Sequence, residues 1–228
     1  MVAIKFDGPR HKQLTESCKK SPLIQWGRLV YSEHNGFPIG FGVGMHGTVP
    51  YVLGALRTVM MALPKGTFLD LGSGSGEAAT YAAKSKWDAY GIEVSRKAYE
   101  LSKEKIDIAR DKRFIKKIPK IGYGNFFPKG FDFRVDSSGG YAWDGLEEML
   151  LEAKDADPYQ EIGLDISHVD LFYHFQVAFK KDILNLFSEQ AKSGAMLFFV
   201  ASLEDECSIP ENVDEMQVYK DFYLYEKK

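Results

Sequence analysis

The sequence predicts an α/β fold: a doubly wound, mostly parallel seven-stranded sheet with helices on both faces and a C-terminal antiparallel hairpin. Three observations lead there. Short apolar runs alternate with amphipathic or alanine-rich stretches from about residue 50 to residue 201, the pattern of βαβ units with right-handed crossovers. The strongest of these runs are continuously apolar, as strands buried on both faces are. The tail MQVYKDFYLYEKK alternates instead and suits a final hairpin.

Taken in order, residues 1–49 form an N-terminal arm or lid. Seven glycines from Gly27 to Gly54 break regular structure there and let backbone approach a ligand or another chain. Thr48 and Pro50 suit the cap and first turn of a helix over 50–63. Residues 67–71 (TFLDL) form the first strand, 77–84 (EAATYAAK) an alanine-rich helix and 89–94 (AYGIEV) the second strand. Ser95 caps a helix running to about residue 113. A weaker third strand covers 118–123, a fourth 166–173 and a fifth 196–201, with Phe175, Phe179, Ile183 and Phe187 marking one face of the intervening helix. Residues 126–163 are too long for a simple connection. They form an ordered insertion with its own helix at 143–153, inside a single domain spanning 50–228.

The balance of 29 Lys and Arg against 32 Asp and Glu gives a net charge of −3, which argues against general nucleic-acid binding. Cys18 and Cys207 have no metal-ligand spacing around them and point to thiols in a reducing compartment. The longest apolar run, residues 195–201, falls far short of the ~20 residues that cross a bilayer, and the N-terminus has no apolar signal core. A cytoplasmic protein without membrane contact or bound metal is the expectation.

The chemistry concentrates at FLDLGSGSGE, residues 68–77. A strand ends near an acid, Asp70, and three alternating glycines lead into a helix. Glycines let the chain approach a ligand, the helix N-terminus offers N–H groups to an anion, and open α/β sheets bind ligands at the carboxyl ends of their strands. A dinucleotide turn, G-x-G-x-x-G, needs Gly or Ala where this chain has Glu77. A carboxylate there repels a diphosphate, which weighs against an NAD-linked oxidoreductase.

The pattern Asp70-x-Gly72-x-Gly74-x-Gly76 resembles motif I of the class I (seven-strand) S-adenosylmethionine-dependent methyltransferases. The resemblance implies S-adenosylmethionine as cofactor, its methionine part held by Asp70, Gly72, Ser73, Gly74 and Gly76, with the backbone amides of the loop gripping the carboxylate. It implies ribose contacts from Glu93, beside Val94, and adenine contacts from Asn125 and Phe126. Asp170, opening the segment DLFYHF, is placed against the cofactor as well. The segment HGTVP resembles the entry to motif I in seven-strand protein-lysine methyltransferases and would bring Thr48 over the methionine end.

The acceptor pocket is expected where the fourth strand ends, with Tyr173 and His174 as catalytic candidates, His174 able to take a proton near neutral pH. The Asn/Asp-Pro-Pro-Tyr/Phe motif of base-amine and glutamine methylation is absent there. Residues 96–120 carry ten basic and four acidic side chains, and residues 144–170 one basic and nine acidic. The second segment would favour a cationic partner such as a lysine-rich protein. The reading is therefore methyl transfer to a protein lysine or a small molecule; RNA methylation, through the basic segment, and a non-catalytic cofactor-binding scaffold are the alternatives.

Overall fold

The computed structural model describes residues 49–133, 146–175, 179–200, 207–219 and 222–228. Its elements are α1 (Val49–Ala62), β1 (Thr67–Leu71), α2 (Glu77–Lys84), β2 (Asp88–Glu93), α3 (Arg96–Asp111) and β3 (Lys120–Tyr123). Then come α4 (Leu146–Glu152), α5 (Pro158–Ile162), a single 3-10 turn (Ile166–His168), β4 (Leu171–Phe175), α6 (Lys180–Gln190), β5 (Met196–Val200), β6 (Val213–Tyr219) and β7 (Phe222–Lys227). The arm, Thr48 and the start of the 143–153 helix lie outside the described residues.

The seven strands run in the order β3-β2-β1-β4-β5-β7-β6. The first five are parallel; β7 pairs antiparallel with β5, and β6 antiparallel with β7. The order reverses between β1 and β4, where Asp70 lies beside Tyr173 and Leu71 beside His174. That reversal opens a crevice at the carboxyl ends of the strands. No helix among the described residues is long and apolar enough to cross a membrane.

Two apolar layers sandwich the sheet. On one face α1, α2 and α3 pack through Leu56, Met60, Ala82 and Ile106 onto Phe68, Tyr173 and Phe198. On the other, α6 packs Ile183, Leu184 and Phe187 onto Leu69, Phe172 and Leu197. Ser95 caps α3 as its sequence predicts, its side chain accepting from the Ala98 N–H. The fourth strand begins later than its apolar run suggests. Asp165 accepts from the Ser167 N–H and fixes residues 166–168 as a 3-10 turn, so pairing starts only at Leu171.

The second half of the insertion is built into the sheet. Asp157 caps α5, Pro158 opens it and Gly163 closes it at φ 65°. α5 lies directly on β3: a Cβ at Gly122 would come within 2.7 Å of the Pro158 carbonyl, and one at Gly124 within 2.7 Å of the Pro158 ring.

Candidate functional site

The turn after β1 takes its shape from three glycines with positive φ: Gly72 at 82°, Gly74 at 53° and Gly76 at 80°. Side chains other than glycine avoid this region. The loop folds against the end of β2. The amides of Gly72 and Ser73 both donate to the Ile92 carbonyl, at 3.0 and 2.8 Å. The Gly76 amide donates to the Ser73 carbonyl at 2.8 Å, and the Gly74 amide to Glu93 Oε2 at 2.6 Å. Those four amides therefore already have acceptors within the chain. The amides that the resemblance assigns to a ligand carboxylate are engaged within the chain here. What the loop offers instead is room: a Cβ on Gly74 would meet nothing within 4 Å among the described residues. Ser73 turns inward, where the lack of a side chain at Gly91 makes space for it, and its buried hydroxyl has no hydrogen-bond partner among the described residues.

Acids surround this loop. Asp70 is 3% exposed and accepts a hydrogen bond from the Ala79 amide. Burial, and then the charges of Glu93 and Glu77, hold its carboxyl well above the usual carboxylate range. Glu93 is also buried, which raises its pKa despite hydrogen bonds from the amides of Ser95, Gly74 and Val94. Its Oε1 accepts from Ser95 at 2.7 Å and its Oε2 from Gly74. A carboxylate has about four lone-pair sites, so both oxygens retain acceptor capacity. Burial alone would raise Glu77 too, but Lys105 and the Ser75 hydroxyl bring it below the ordinary value. Of these three carboxylates, Glu77 is the one paired with the buried Lys105.

Asn125 and Phe126 follow β3 and turn back toward the loop. Asn125 Oδ1 accepts from the Phe127 amide at 3.0 Å, and the Tyr159 hydroxyl donates to the Phe126 carbonyl at 2.6 Å. The Phe126 ring edge stands 3.9 Å from where a Cβ on Gly72 would be. Val94, by contrast, buries its side chain with Tyr123 and Ala153 and contributes only its amide to Glu93.

The structure separates the two catalytic candidates, because successive strand residues face opposite ways. Tyr173 stacks between Phe68 and Phe198. Burial and the nearby charges of Asp70 and Glu77 push its phenol up, so it stays protonated. It is a core ring beside the acids, unsuited to act as a base. His174 faces the other layer, its ring 5.7 Å from Phe126 and 5.3 Å from Phe199. Its Nδ1 lies 2.7 Å from the Leu71 carbonyl. A carbonyl only accepts, so that geometry assigns the proton to Nδ1 and leaves Nε2 the lone pair of the neutral ring.

Asp170 is not brought to the site. It precedes β4 at the amino edge of the sheet, accepts from the Thr67 amide at 2.7 Å and pairs with Lys192 at 2.6 Å. Four more acids of the run 144–170 are also committed. Glu152 pairs with Arg96, Asp157 caps α5, Glu161 accepts from the Tyr99 hydroxyl and the Tyr123 amide, and Asp165 caps the 3-10 turn. Of the basic run, Lys112, Arg113, Lys116, Lys117 and Lys120 follow the far end of α3. Its 16 residues carry Lys112 and Arg113 roughly 24 Å from Ser95 at ~1.5 Å per residue, and the chain then turns back, with Lys117 pairing with Asp88 and Lys120 beside Tyr90.

Two groups escape the motif reading. Phe127 stacks on Phe131 and Phe133 and meets Phe179 edge-on, forming an aromatic cluster around Phe126. Lys105 is the other. A charge at the third of the spaced positions 98, 102, 105, 106 and 109 on a buried stripe would have signalled it only with the third dimension supplying its partner.

No protein-family model matches the chain, and no curated protein matches it in sequence. Solved structures do match. A methyltransferase from Geobacter sulfurreducens is similar at 14% identity with a TM-score of 0.53, covering 91% of this chain and 90% of that one. A putative methyltransferase from Escherichia coli gives 13% identity and a TM-score of 0.49, over 85% of this chain and 91% of that one. An RNA methyltransferase from Salinibacter ruber, solved with S-adenosyl-L-homocysteine, gives 14% and 0.41, over 70% and 77%. With its strand order and C-terminal hairpin, this chain has the fold of the class I, Rossmann-like S-adenosylmethionine-dependent methyltransferases.

Proposed function

We propose that the protein is an S-adenosylmethionine-dependent methyltransferase acting on a small-molecule acceptor. One observation carries the donor assignment: Asp70, Glu77 and Glu93 crowd a glycine turn with space at Gly74 among the described residues, against Lys105, the one buried cation among them. A diphosphate would be repelled by that arrangement, whereas a ligand bearing a sulfonium and an ammonium relieves it. The residues fit the donor: Asp70 suits its ammonium and Glu93 its ribose hydroxyls. Asn125 and Phe126 border the same crevice.

The donor, when bound, supplies an electrophilic methyl group. The chain's task is to align an acceptor and exclude water. His174 and the rings of Phe126, Phe127 and Phe179 form an apolar wall for the acceptor beside the glycine turn. The Nε2 lone pair of His174 is the group that could take the acceptor's proton. A lysine-rich protein partner loses support because Glu152, Asp157, Glu161, Asp165 and Asp170, among the acids meant to attract it, cap helices or have partners within the chain. RNA loses support because much of the basic run lies at the other end of α3.

Tritium-labelled S-adenosylmethionine incubated with the protein and cell extract tests this reading. Label is expected in the small-molecule fraction. Label in protein or RNA would reassign the acceptor, and none anywhere would favour the scaffold alternative. For the donor, Glu93→Ala is expected to weaken binding by ~1–3 kcal/mol through lost ribose hydrogen bonds, measured by isothermal titration. Unchanged affinity would place the ribose elsewhere.

A further inference from the structure

α3 buries Ala98, Ser102, Lys105, Ile106 and Ala109, and the lysine among them is 8% exposed. A buried ammonium costs several kcal/mol unless it is paired, so its partners explain its presence. Lys105 Nζ donates to Ser75 Oγ at 2.8 Å and to Glu77 Oε1. The Ser75 hydroxyl donates in turn to the Glu77 carboxylate at 2.7 Å. One helical turn earlier Ser102 sits so close that a Cβ on Gly76 would lie 3.1 Å from its own Cβ. The helix therefore clamps the second half of the glycine turn at two points.

Glu77 is faced from several elements. Asp70 on β1 and Tyr173 on β4 both feel its charge, and Glu93 on β2 bears on Asp70. α1, which packs on α2, brings one charged residue, Arg57. Lys105 from α3 is the group that answers Glu77 directly.

We propose that Lys105 is a positioning residue for the donor site: its ammonium holds Ser75 and Glu77 together and offsets the Glu77 charge, leaving Asp70 and Glu93 to receive the donor's positive charge. This rests on the donor assignment above. Without Lys105, Glu77 and Asp70 would repel one another and bind protons more readily. Without Glu77, Lys105 would act on Asp70 in the opposite sense.

The test is the pH dependence of S-adenosylmethionine affinity, measured by isothermal titration from pH 5.5 to 8.5. Affinity in the unaltered protein is expected to rise with pH as Asp70 loses its proton. Lys105→Met should move the midpoint up, because the Glu77 charge that bears on Asp70 would no longer be offset. Glu77→Gln should move it down, the double variant should return it toward the starting value, and Lys105→Arg should leave it in place. Binding with unmoved midpoints in Lys105→Met and Glu77→Gln would overturn the proposal and make Lys105 a packing residue only. If Lys105→Met fails to fold, Glu77→Gln decides: a midpoint that does not fall overturns the proposal. No binding by the unaltered protein at any pH would instead overturn the donor assignment.

Discussion

Gly74→Arg is expected to weaken S-adenosylmethionine binding more than a hundredfold by isothermal titration while the protein still melts cooperatively. The two halves of that expectation have different causes. Gly74 has a φ of 53°, where an L-residue costs ~1–2 kcal/mol, and in a chain of this size each kcal/mol lowers Tm by ~2–4 °C. A Cβ there meets nothing within 4 Å among the described residues, so no clash with them adds to the strain. The arginine would fill the space the donor needs and bring its guanidinium to Asp70 and Glu93, neutralising the charge that attracts the ligand. Full affinity in a folded variant would move the donor site away from this turn.

Asp70→Asn is expected to raise the Tm of the unliganded protein at pH 7–8 by a few degrees and to weaken the donor at least tenfold. An acid whose folded pKa is raised holds more protons folded than unfolded between its unfolded and folded values. Its folding penalty therefore grows as pH rises through that window and stays at its maximum above it. Burial and the charges of Glu93 and Glu77 place Asp70 in this class. An asparagine keeps an oxygen to accept from the Ala79 amide and removes the charge. The gain should shrink as pH falls and vanish only well below the ordinary aspartate value of about 3.9, where the carboxyl is protonated in both states. The rise of donor affinity with pH should flatten in the same variant. A lower Tm at pH 7–8 would mean that the carboxylate is satisfied in the free protein, and the account of a charge awaiting its ligand would fail.

The layout of the sheet was legible because its strands are short, continuous apolar runs bounded by turn chemistry. Residues 67–71 and 77–84 fold over the spans their patterns indicate. Asp70 and the three glycines were legible for the same reason: strand, acid and backbone freedom occur together in one short stretch. Asp170 misled because its apolar neighbours suggest a strand end, and sequence does not say which edge of the sheet that end occupies. Tyr173 and His174 are adjacent in sequence, yet the pleat sends them to opposite layers. Lys105 lies 28 residues from Glu77, and no local pattern encodes a contact across two helices.

The seat of α5 on β3 sets a rule for redesign. Because Gly122 and Gly124 are shaped to the Pro158 ring and carbonyl, the stretch from Asp157 to Gly163 is a structural member of the domain, although it belongs to the insertion. A graft meant to change acceptor choice could exchange the chain between Lys129 and Glu152. It should keep that capped turn intact, or an edge strand of the sheet would lose the element packed on its face.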